Sequence, residues 1–320
     1  MNTRAVAPKQ PGSGTVQGFE CQEKQPGSGT VQEFEYQVAG HPGVLVVEGN
    51  DMLIKPLNKR EQQFYEGAMG HADVKSFLPI YYGSLKRDGL EAGETREYIC
   101  LENLVHGFEQ PCVLDLKIGS RLYDVDATEE KRERMALKAR STTSEKLGVV
   151  ITGMKLHGEP ASDRDWCRGL TVTTFMEALD RYFSVAQKAV SPKYREYLIW
   201  QFIVELGEWL EVVQETDMRM YSSSLLFIYD ASKAKYTSFF PADEDGNGQR
   251  KTQGFKDMHS DSQNEEEDEE EDQPDGLLDM KAIDFAHSHW VPGQGPDEDY
   301  IAGVTKLIEI LHSFLEPEAS

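Results

Sequence analysis

The sequence predicts an α+β protein, with a small sheet-rich N-terminal lobe and a larger C-terminal lobe of strands and long helices. Short apolar runs bounded by turn residues fill the first third of the chain, whereas two long helical patterns lie at 172–188 and 193–216. With 320 residues, 39% of them hydrophobic, the chain is long enough for one large domain or two lobes with a shared core.

Residues 1–35 are predicted to form a disordered tail. Residues 9–17 recur unchanged as 24–32, and over a fifteen-residue unit the two copies match at twelve positions. The segment is rich in Gly, Pro, Ser and Gln, which is typical of flexible tails. A two-copy repeat this short does not build a solenoid. We interpret it as a recent local duplication.

Residues 36–106 are predicted to form the N-terminal lobe. Its expected helix covers 58–69 and carries Phe64 and Tyr65. Short runs of apolar and β-branched residues predict four strands, of which the first two are joined by a turn at 48–51. The four strands are expected at 44–47, 52–56, 80–85 and 97–102.

Residues 107–320 are predicted to form the C-terminal lobe. A helix at 128–138 has Thr128 as its N-cap, followed by Glu129 and Glu130 in the first turn. Strands are expected at 112–119, 147–156 and 224–229, ordered chain resumes at 280–285, and a last helix covers 300–315. The helix at 193–216 carries an apolar stripe that predicts packing against a core: Leu198, Phe202, Leu206, Trp209, Leu210 and Val213.

The chain is strongly acidic, with 33 basic and 56 acidic residues and a net charge of -23. Eight consecutive carboxylates at 265–272 lie within a low-complexity stretch, 242–276, that is predicted to be a disordered insertion in the C-terminal lobe. Such a surface excludes binding of nucleic acid or anionic membrane over its whole extent. Any polyanion that the protein binds must meet a local basic cluster.

The four cysteines, Cys21, Cys100, Cys112 and Cys167, lack metal-finger spacing, which favours free thiols in a reducing compartment. The sequence shows no apolar signal-peptide region and no run of eighteen apolar residues. We therefore expect a protein of the cytoplasm or the nucleus without a membrane span.

Asp115 and Lys117 are the first candidates for chemistry, because positions i and i+2 of a strand point to the same face. Phosphoryl transfer to an alcohol needs a carboxylate to orient or deprotonate the hydroxyl, and a cation for the phosphate oxygens. A partly buried Asp–Lys ion pair explains the same spacing equally well.

Lys131, Arg134 and Lys138 are spaced i, i+3 and i+7, so they share one face of the predicted helix. Three cations on one stripe can clamp several phosphates of one ligand. The alternative is a solvated face balanced by Glu129, Glu130 and Glu133, and without context this alternative is favoured.

Three further residues fit an ATP site, although each is also ordinary at a strand end. Lys55 ends an early strand and can reach the α- and β-phosphates. Asp284 follows a short apolar strand and can bind Mg²⁺, while Ser224 begins another strand. The sequence contains no Gly-x-x-x-x-Gly-Lys-Ser/Thr loop, no His-Arg-Asp signature and no Asp-Phe-Gly triplet, which excludes a P-loop kinase and a typical protein kinase.

Together these residues resemble the inositol polyphosphate kinase family. Its Pro-x-x-x-Asp-x-Lys-x-Gly motif is matched at 111–119, its Ser-Leu-Leu motif at 224–226 and its Ile-Asp-Phe motif at 283–285, in the family's order. The similarity covers about 36–315, without the acidic insertion. The chain looks most like the fungal multikinases. Inositol trisphosphate 3-kinases fit less well because the segment after Lys155 is short, and inositol hexakisphosphate kinases share the main motif.

The resemblance implies a two-lobed fold related to protein kinases and ATP-grasp enzymes. It also implies Mg²⁺-dependent transfer of the ATP γ-phosphate to inositol 1,4,5-trisphosphate and inositol tetrakisphosphates, at the 6- and 3-hydroxyls. An inositol hexakisphosphate kinase that makes pyrophosphates is the alternative. Fungal multikinases further imply a nuclear role as accessory factors for transcription regulators, with the acidic insertion as the contact.

The resemblance assigns roles to individual residues. Asp115 and Lys117 are the implied catalytic pair, and Asp284, with Ser224 nearby, is the implied metal site. The implied ATP-binding residues are Lys55, Glu102, Leu104, Asp115 and Asp284. The implied inositol phosphate site consists of Lys117, Lys131, Arg134, Lys138, Lys155 and His287.

Overall fold

A computed structural model describes residues 31–39, 43–47, 51–88, 95–124, 126–240 and 276–316. The first five strands form one antiparallel sheet in the order β1-β2-β3-β5-β4. These strands are β1 (Val31–Glu33), β2 (Leu45–Val47), β3 (Met52–Pro56), β4 (Tyr81–Asp88) and β5 (Thr95–Glu102).

Two helices, α1 (Lys59–Ala68) and α2 (Ala72–Ser76), belong to the same part of the chain. The side chain of Asn58 caps α1 by accepting hydrogen bonds from the backbone of Arg60 and Glu61. The buried face of α1 carries Phe64, Tyr65 and Ala68, and it also carries Glu61. The first turn of α1 therefore directs one carboxylate toward the interior.

The C-terminal lobe is built on a second antiparallel sheet, in the order β10-β9-β6-β7, while β8 and β11 form a separate two-stranded ribbon. Its strands are β6 (Pro111–Ile118), β7 (Val149–Lys155), β8 (Met218–Met220), β9 (Ser224–Asp230), β10 (Leu278–Ile283) and β11 (Ser288–Trp290).

Seven helices accompany this second sheet within the described ranges. They are α3 (Glu129–Arg140), α4 (Ser144–Leu147), α5 (Arg164–Arg168), α6 (Val172–Ala189), α7 (Pro192–Glu215), α8 (Lys233–Phe239) and α9 (Glu298–Ser313). Helix α7 packs against α6 and α9. Its predicted apolar stripe is confirmed, because all of its members are buried except Leu210, which is partly buried.

One apolar core joins the two sheets. Phe64 and Leu101 from the N-terminal lobe lie in the same buried cluster as Leu114 and Phe227 from the second sheet. The rings of Phe64 and Phe285 stack with centroids 4.3 Å apart. Shared burial of this kind fixes the relative position of the two sheets. The predicted α+β fold class is confirmed, and no helix in the described part of the chain is long and apolar enough to cross a membrane.

The prediction of a disordered tail was wrong for its last residues, because Val31–Glu33 form β1. This strand pairs with β2, so that Val31 lies opposite Val47. Composition alone does not reveal the unpaired sheet edge that a polar segment joins. The tail before residue 31, the predicted turn at 48–50 and the predicted insertion other than Gly276 lie outside the described residues.

Helix and strand boundaries differ from the predicted ones where short elements intervene. The strand expected at 147–156 begins only at Val149, because residues Ser144–Leu147 form a helical turn. That turn ends at Gly148, whose φ of 64° is the left-handed conformation that glycine favours. The sequence analysis also missed α2, α5, α8, β8 and β11, which are too short to show a periodic pattern.

Candidate active site

The register of the second sheet brings the motif residues together. Lys117 on β6 is the partner of Ser224 on β9, and Ser224 is the partner of Ile283 on β10. Asp284 follows directly after this row of residues. Asp115 lies two positions before Lys117 on β6, so its side chain emerges on the same face. Residues more than 150 positions apart in the sequence therefore converge at one point.

Asp115 is 3% exposed, and its Oδ1 accepts a hydrogen bond of 2.5 Å from Thr152 Oγ1. Thr152 is available for this bond because a bulge shifts the register between β6 and β7 after Asp115. Burial and the nearby charge of Asp284 raise the pKa of Asp115, while Lys117 and the Thr152 hydrogen bond oppose that rise. The carboxyl is thus held in place, and its raised pKa makes it a stronger proton acceptor than an ordinary aspartate.

Lys117 forms no ion pair with Asp115 in the described structure. Its Nζ instead donates a 2.5 Å hydrogen bond to the backbone oxygen of Ser222. Ser222 has a φ of 61°, the left-handed conformation that is uncommon for a residue other than glycine. The Asp115–Lys117 ion pair that the sequence left open is therefore not formed. The Lys117 ammonium remains near the Asp115 carboxylate and is available to a ligand.

Lys55 joins the two lobes through two carboxylates. Its Nζ lies 2.9 Å from Glu61 Oε1 and 2.5 Å from Asp284 Oδ1. Burial alone would lower the pKa of Lys55, but the charges of Asp284 and Glu61 outweigh burial and raise it. Lys55 is consequently a fixed cation at the floor of the cleft between the sheets.

Glu61 is a site residue that the sequence analysis missed. It is 1% exposed, and burial raises the pKa of its carboxyl, whereas the charge of Lys55 opposes that rise. Its position relative to Phe64 and Ala68, at i+3 and i+7, was a usable signal, because it places an acid on the apolar face of α1.

Asp284 has a φ of 65°, so the backbone turns sharply at the end of β10, just before the buried Phe285. The residues around Asp284 fit a magnesium ion. Mg²⁺ prefers hard oxygen ligands and keeps several positions for substrate phosphates and water. The Asp284 carboxylate can supply one such oxygen. The buried hydroxyl of Ser224 can supply a second, since it has no hydrogen-bond partner among the described residues.

The described residues contain no group of three or more His, Cys, Asp or Glu side chains that could hold a metal unaided. A single ion at Asp284 would therefore need nucleotide phosphates and water to complete its coordination.

A cleft of about 790 Å³ opens between the two sheets. Glu102 and Leu104 lie on its wall, as predicted for residues that contact a nucleotide. Glu102 is anchored by bonds to Ile80, since its backbone donates at 2.9 Å and its carboxylate accepts at 3.0 Å. The backbone N–H of Leu104 bonds to no described residue and is available to a purine. All predicted ATP-binding residues line this cleft: Lys55, Glu102, Leu104, Asp115 and Asp284.

The three cations predicted to share one face of α3 have no acidic partners among the described residues. Lys131, Arg134 and Lys138 form no salt bridge there, and neither do the three glutamates of α3. The self-balanced face favoured by the sequence alone is therefore not formed. Unpaired cations on an acidic protein are sites where a polyanion binds with little competition.

Lys117 lies close enough to influence the charge of both Lys138 and His287, and Lys131 influences His287 as well. We call these four residues the electropositive basin. Burial, together with the positive charges of Lys117, Arg168 and Arg164, lowers the pKa of Lys138. Burial and the charges of Lys131, Arg60 and Lys117 lower the pKa of His287.

The two arginines of α5 were absent from the sequence analysis, since α5 was not predicted. Arg134 is exposed on α3, and no contact links it to the basin.

Lys155 has a different environment from the cations of α3. Its ammonium lies 3.0 Å from Glu35 Oε1 and 4.9 Å from the centre of the Tyr36 ring. Both partners belong to the segment that follows β1. The structure thus places Lys155 beside the cleft, but with its charge already compensated.

The fold and the site define a class of protein. A small sheet lobe whose strand lysine pairs with a helix glutamate, combined with a second lobe that carries an aspartate for the metal, is the arrangement of kinase-like phosphotransferases. A profile described as inositol polyphosphate kinase matches residues 98–312. The chain belongs to the inositol polyphosphate kinase family, which confirms the predicted resemblance.

Several relatives cover most of the chain. The inositol polyphosphate multikinases of Saccharomyces cerevisiae and Schizosaccharomyces pombe are each 30% identical, over 87% and 88% of this chain and 97% of each relative. Human inositol hexakisphosphate kinase 3 is 32% identical over 69% of this chain and 52% of that protein. The solved structure of the S. cerevisiae inositol phosphate multikinase with ADP and Mn²⁺ matches 83% of this chain and 100% of that chain, with a TM-score of 0.64 and 31% identity.

Proposed function

We propose that this protein is an inositol polyphosphate multikinase. It transfers the γ-phosphate of ATP to inositol 1,4,5-trisphosphate and inositol tetrakisphosphates, at the 6- and 3-hydroxyls. The proposal rests on the position of Asp115 between two groups of charged side chains. The Lys55 network lies on one side, and the electropositive basin lies on the other.

ATP binds in the cleft with its purine against the backbone of Glu102 and Leu104. Lys55 contacts the α- and β-phosphates, and Glu61 keeps the lysine side chain extended toward them. Asp284 and Ser224 would hold Mg²⁺, which supplies charge neutralisation for the phosphates. The S. cerevisiae relative was solved with ADP and Mn²⁺, which supports nucleotide and divalent cation as ligands.

The inositol phosphate binds with its phosphates in the basin and its accepting hydroxyl at Asp115. The Asp115 carboxylate orients that hydroxyl and takes its proton as the new P–O bond forms. Lys117, held by Ser222, stabilises the negative charge on the transferring phosphate. Catalysis thus arises mainly from positioning and from charges that are in place before the reaction.

The inositol hexakisphosphate kinases are the second candidate, supported by the 32% identity to the human enzyme. The multikinase proposal is favoured because the two fungal relatives align over 97% of their length, against 52% for that kinase.

Product analysis distinguishes the two candidates. Purified full-length protein is incubated with Mg-ATP and either inositol 1,4,5-trisphosphate or inositol hexakisphosphate, and the products are separated by ion-exchange chromatography. We expect tetrakisphosphate and pentakisphosphate from the first substrate and little conversion of the second. Rapid consumption of hexakisphosphate would favour the pyrophosphate-forming activity instead. No product from either substrate would refute both candidates.

We further propose that the protein acts in the nucleus and the cytoplasm, and that the acidic insertion at 242–276 contacts transcription regulators. Its run of eight carboxylates supports an interaction with basic surfaces.

The test compares an Asp115→Ala variant with a deletion of 242–276 in cells, with transcript levels as the readout. Regulation that survives Asp115→Ala and fails in the deletion supports a separate scaffold role. Regulation that survives the deletion refutes it.

A further inference from the structure

The segment at 34–39, which we call the strap, connects the two lobes on one side of the cleft. It begins at the end of β1, where Phe34 N donates to Val44 O at 3.2 Å, and reaches β7 at Gly153. The approach is so close that a Cβ on Gly153 would lie 2.1 Å from the backbone oxygen of Val38. Only glycine leaves room for this crossing.

The strap meets β7 beside the catalytic carboxylate. In the register of β6 and β7, Gly153 is opposite Asp115 and Lys155 is opposite Val113. Opposite residues of an antiparallel pair project on the same face, so Lys155 shares the face of Asp115. Phe34, Tyr36 and Val38 of the strap also line the nucleotide cleft.

Glu35 and Tyr36 hold the Lys155 ammonium from two sides, at 3.0 Å and 4.9 Å. Lys155 is 12% exposed, whereas Glu35 is 74% exposed. The lysine side chain is therefore confined, whereas the Glu35 carboxylate is open to solvent. Lys155 differs in this respect from Lys131, Arg134 and Lys138, which have no acidic partner among the described residues.

The tandem repeat shows which residues adapt the strap to this place. The strap lies in the second copy of the fifteen-residue unit, and the copies differ at only three positions. Two of these are Tyr36 and Val38, which replace Cys21 and Glu23 of the first copy. Tyr36 supplies the ring over Lys155, and Val38 is the residue against Gly153. A glutamate at the Val38 position would add a carboxylate next to Asp115.

We propose that Glu35 is a specificity-determining residue that selects against the most highly phosphorylated inositols by neutralising Lys155. This inference rests on the proposed function. A trisphosphate can present a hydroxyl to the Glu35–Lys155 pair, and both groups can hydrogen-bond to it. Every ring position of a hexakisphosphate carries a phosphate, so the group at this place needs the Lys155 charge that Glu35 already neutralises.

Removal of the Glu35 charge therefore has an effect that grows with the phosphate count of the ligand. The gain comes from the Lys155 charge that Glu35 no longer neutralises, and the exposure of Glu35 screens the effect. We expect Glu35→Gln to tighten binding of inositol hexakisphosphate by about tenfold and that of inositol 1,4,5-trisphosphate by less than about threefold.

The experiment measures the dissociation constants of both ligands by isothermal titration calorimetry with the full chain. Glu33→Gln is the matched control, because it removes an exposed carboxylate two residues away that has no ion-pair partner among the described residues. A third variant, Glu35→Gln combined with Lys155→Met, is compared with Lys155→Met alone. In that background the gain for hexakisphosphate is expected to fall below about twofold.

Equal effects of Glu35→Gln and Glu33→Gln would refute the proposal, because the gain would then be a general charge effect. A gain that persists without Lys155 would also refute it. Binding is measured without turnover, so the outcome does not depend on phosphoryl transfer. Failure of the proposed function would instead appear as a wild-type protein that binds the trisphosphate but forms no product.

Discussion

The charged side chains on the two sides of Asp115 differ in whether they are paired with opposite charges. On the nucleotide side, Lys55 is bonded to both Glu61 and Asp284. On the acceptor side, Lys131, Arg134 and Lys138 of α3 have no acidic partner among the described residues, although α3 itself carries three glutamates. In the first region, the charged groups are paired with one another, as in a protein interior. In the second region, the cations remain available to a ligand.

This difference follows from what each region must do. Burial makes a lone charge costly, so the cleft fixes its ammonium with carboxylates, and loss of one partner from a buried pair costs about 3–5 kcal/mol. Exposed cations carry little desolvation cost and contribute little to stability. Their interaction energy is available for binding a polyanion instead. Variants on the nucleotide side should therefore change folding and turnover, whereas variants on the acceptor side should change substrate binding alone.

The largest effect is expected at Asp115, where the two regions meet. Asp115→Ala should lower kcat by roughly 10³-fold or more, because the group that orients and deprotonates the hydroxyl is lost. The chain should remain folded, which thermal denaturation checks. Thr152→Val keeps the carboxylate but removes its hydrogen bond, so a loss of only about tenfold is expected. Near-normal product formation by Asp115→Ala would contradict the assignment.

The pH profile supplies a second readout for the same residue. Since burial and Asp284 raise the pKa of Asp115, its basic form is lost on acidification at a higher pH than for an ordinary aspartate. The Thr152 hydrogen bond lowers that pKa, so Thr152→Val should move the acid limb of kcat/KM to higher pH. If the acid limb of kcat/KM is unchanged in Thr152→Val, Asp115 is not the group that accepts the proton.

An intermediate effect is expected at Glu61, on the nucleotide side. Glu61→Gln keeps the shape of the side chain but leaves Lys55 with Asp284 alone. We expect kcat to fall by about 10- to 100-fold and the melting temperature to fall as well. Glu66→Gln is the control, since Glu66 is an exposed acid on the same helix. Similar behaviour of the two variants would mean that the Lys55–Glu61 pair has no special role.

The smallest effect is expected at Lys138, on the acceptor side. Lys138→Ala should raise the KM for inositol 1,4,5-trisphosphate by about five- to tenfold, with the KM for ATP and the melting temperature unchanged. The increase should shrink at high salt. Arg140→Ala is the control, because Arg140 lies on the same helix but is paired with Glu145. A lower melting temperature for Lys138→Ala would contradict the expectation that cations on the acceptor side contribute little to stability.

Local sequence was sufficient for much of the site. Strand spacing predicted that Asp115 and Lys117 share a face, and Thr128 correctly marked the start of α3. The position of Lys55 at a strand end, and that of Asp284 in the Ile-Asp-Phe motif, predicted both residues at the ATP site. Each of these inferences depends on neighbours within one strand or one helical turn, where periodicity determines orientation.

Contacts between segments that are distant in the sequence cannot be predicted from local periodicity. Glu61 pairs with Lys55 in its own lobe, but its place at the site depends on the second bond of Lys55, which reaches Asp284 in the other lobe. The Lys55–Asp284 bond spans 229 residues, and the Lys155–Glu35 bond spans 120. Residues 31–35 were taken for part of a tail, because a polar segment becomes a strand or a strap only where a sheet edge and a glycine receive it.

By itself, the sequence determined the fold class, the family and the chemical types available for phosphoryl transfer. The tertiary structure alone decided which charges are paired and which are free. Lys155 and the α3 lysines Lys131 and Lys138 are the same residue type, yet of these three only Lys155 has a carboxylate partner among the described residues. The reason is physical, because pairing depends on the packing of two lobes around a shared core, and local periodicity carries no information about that packing.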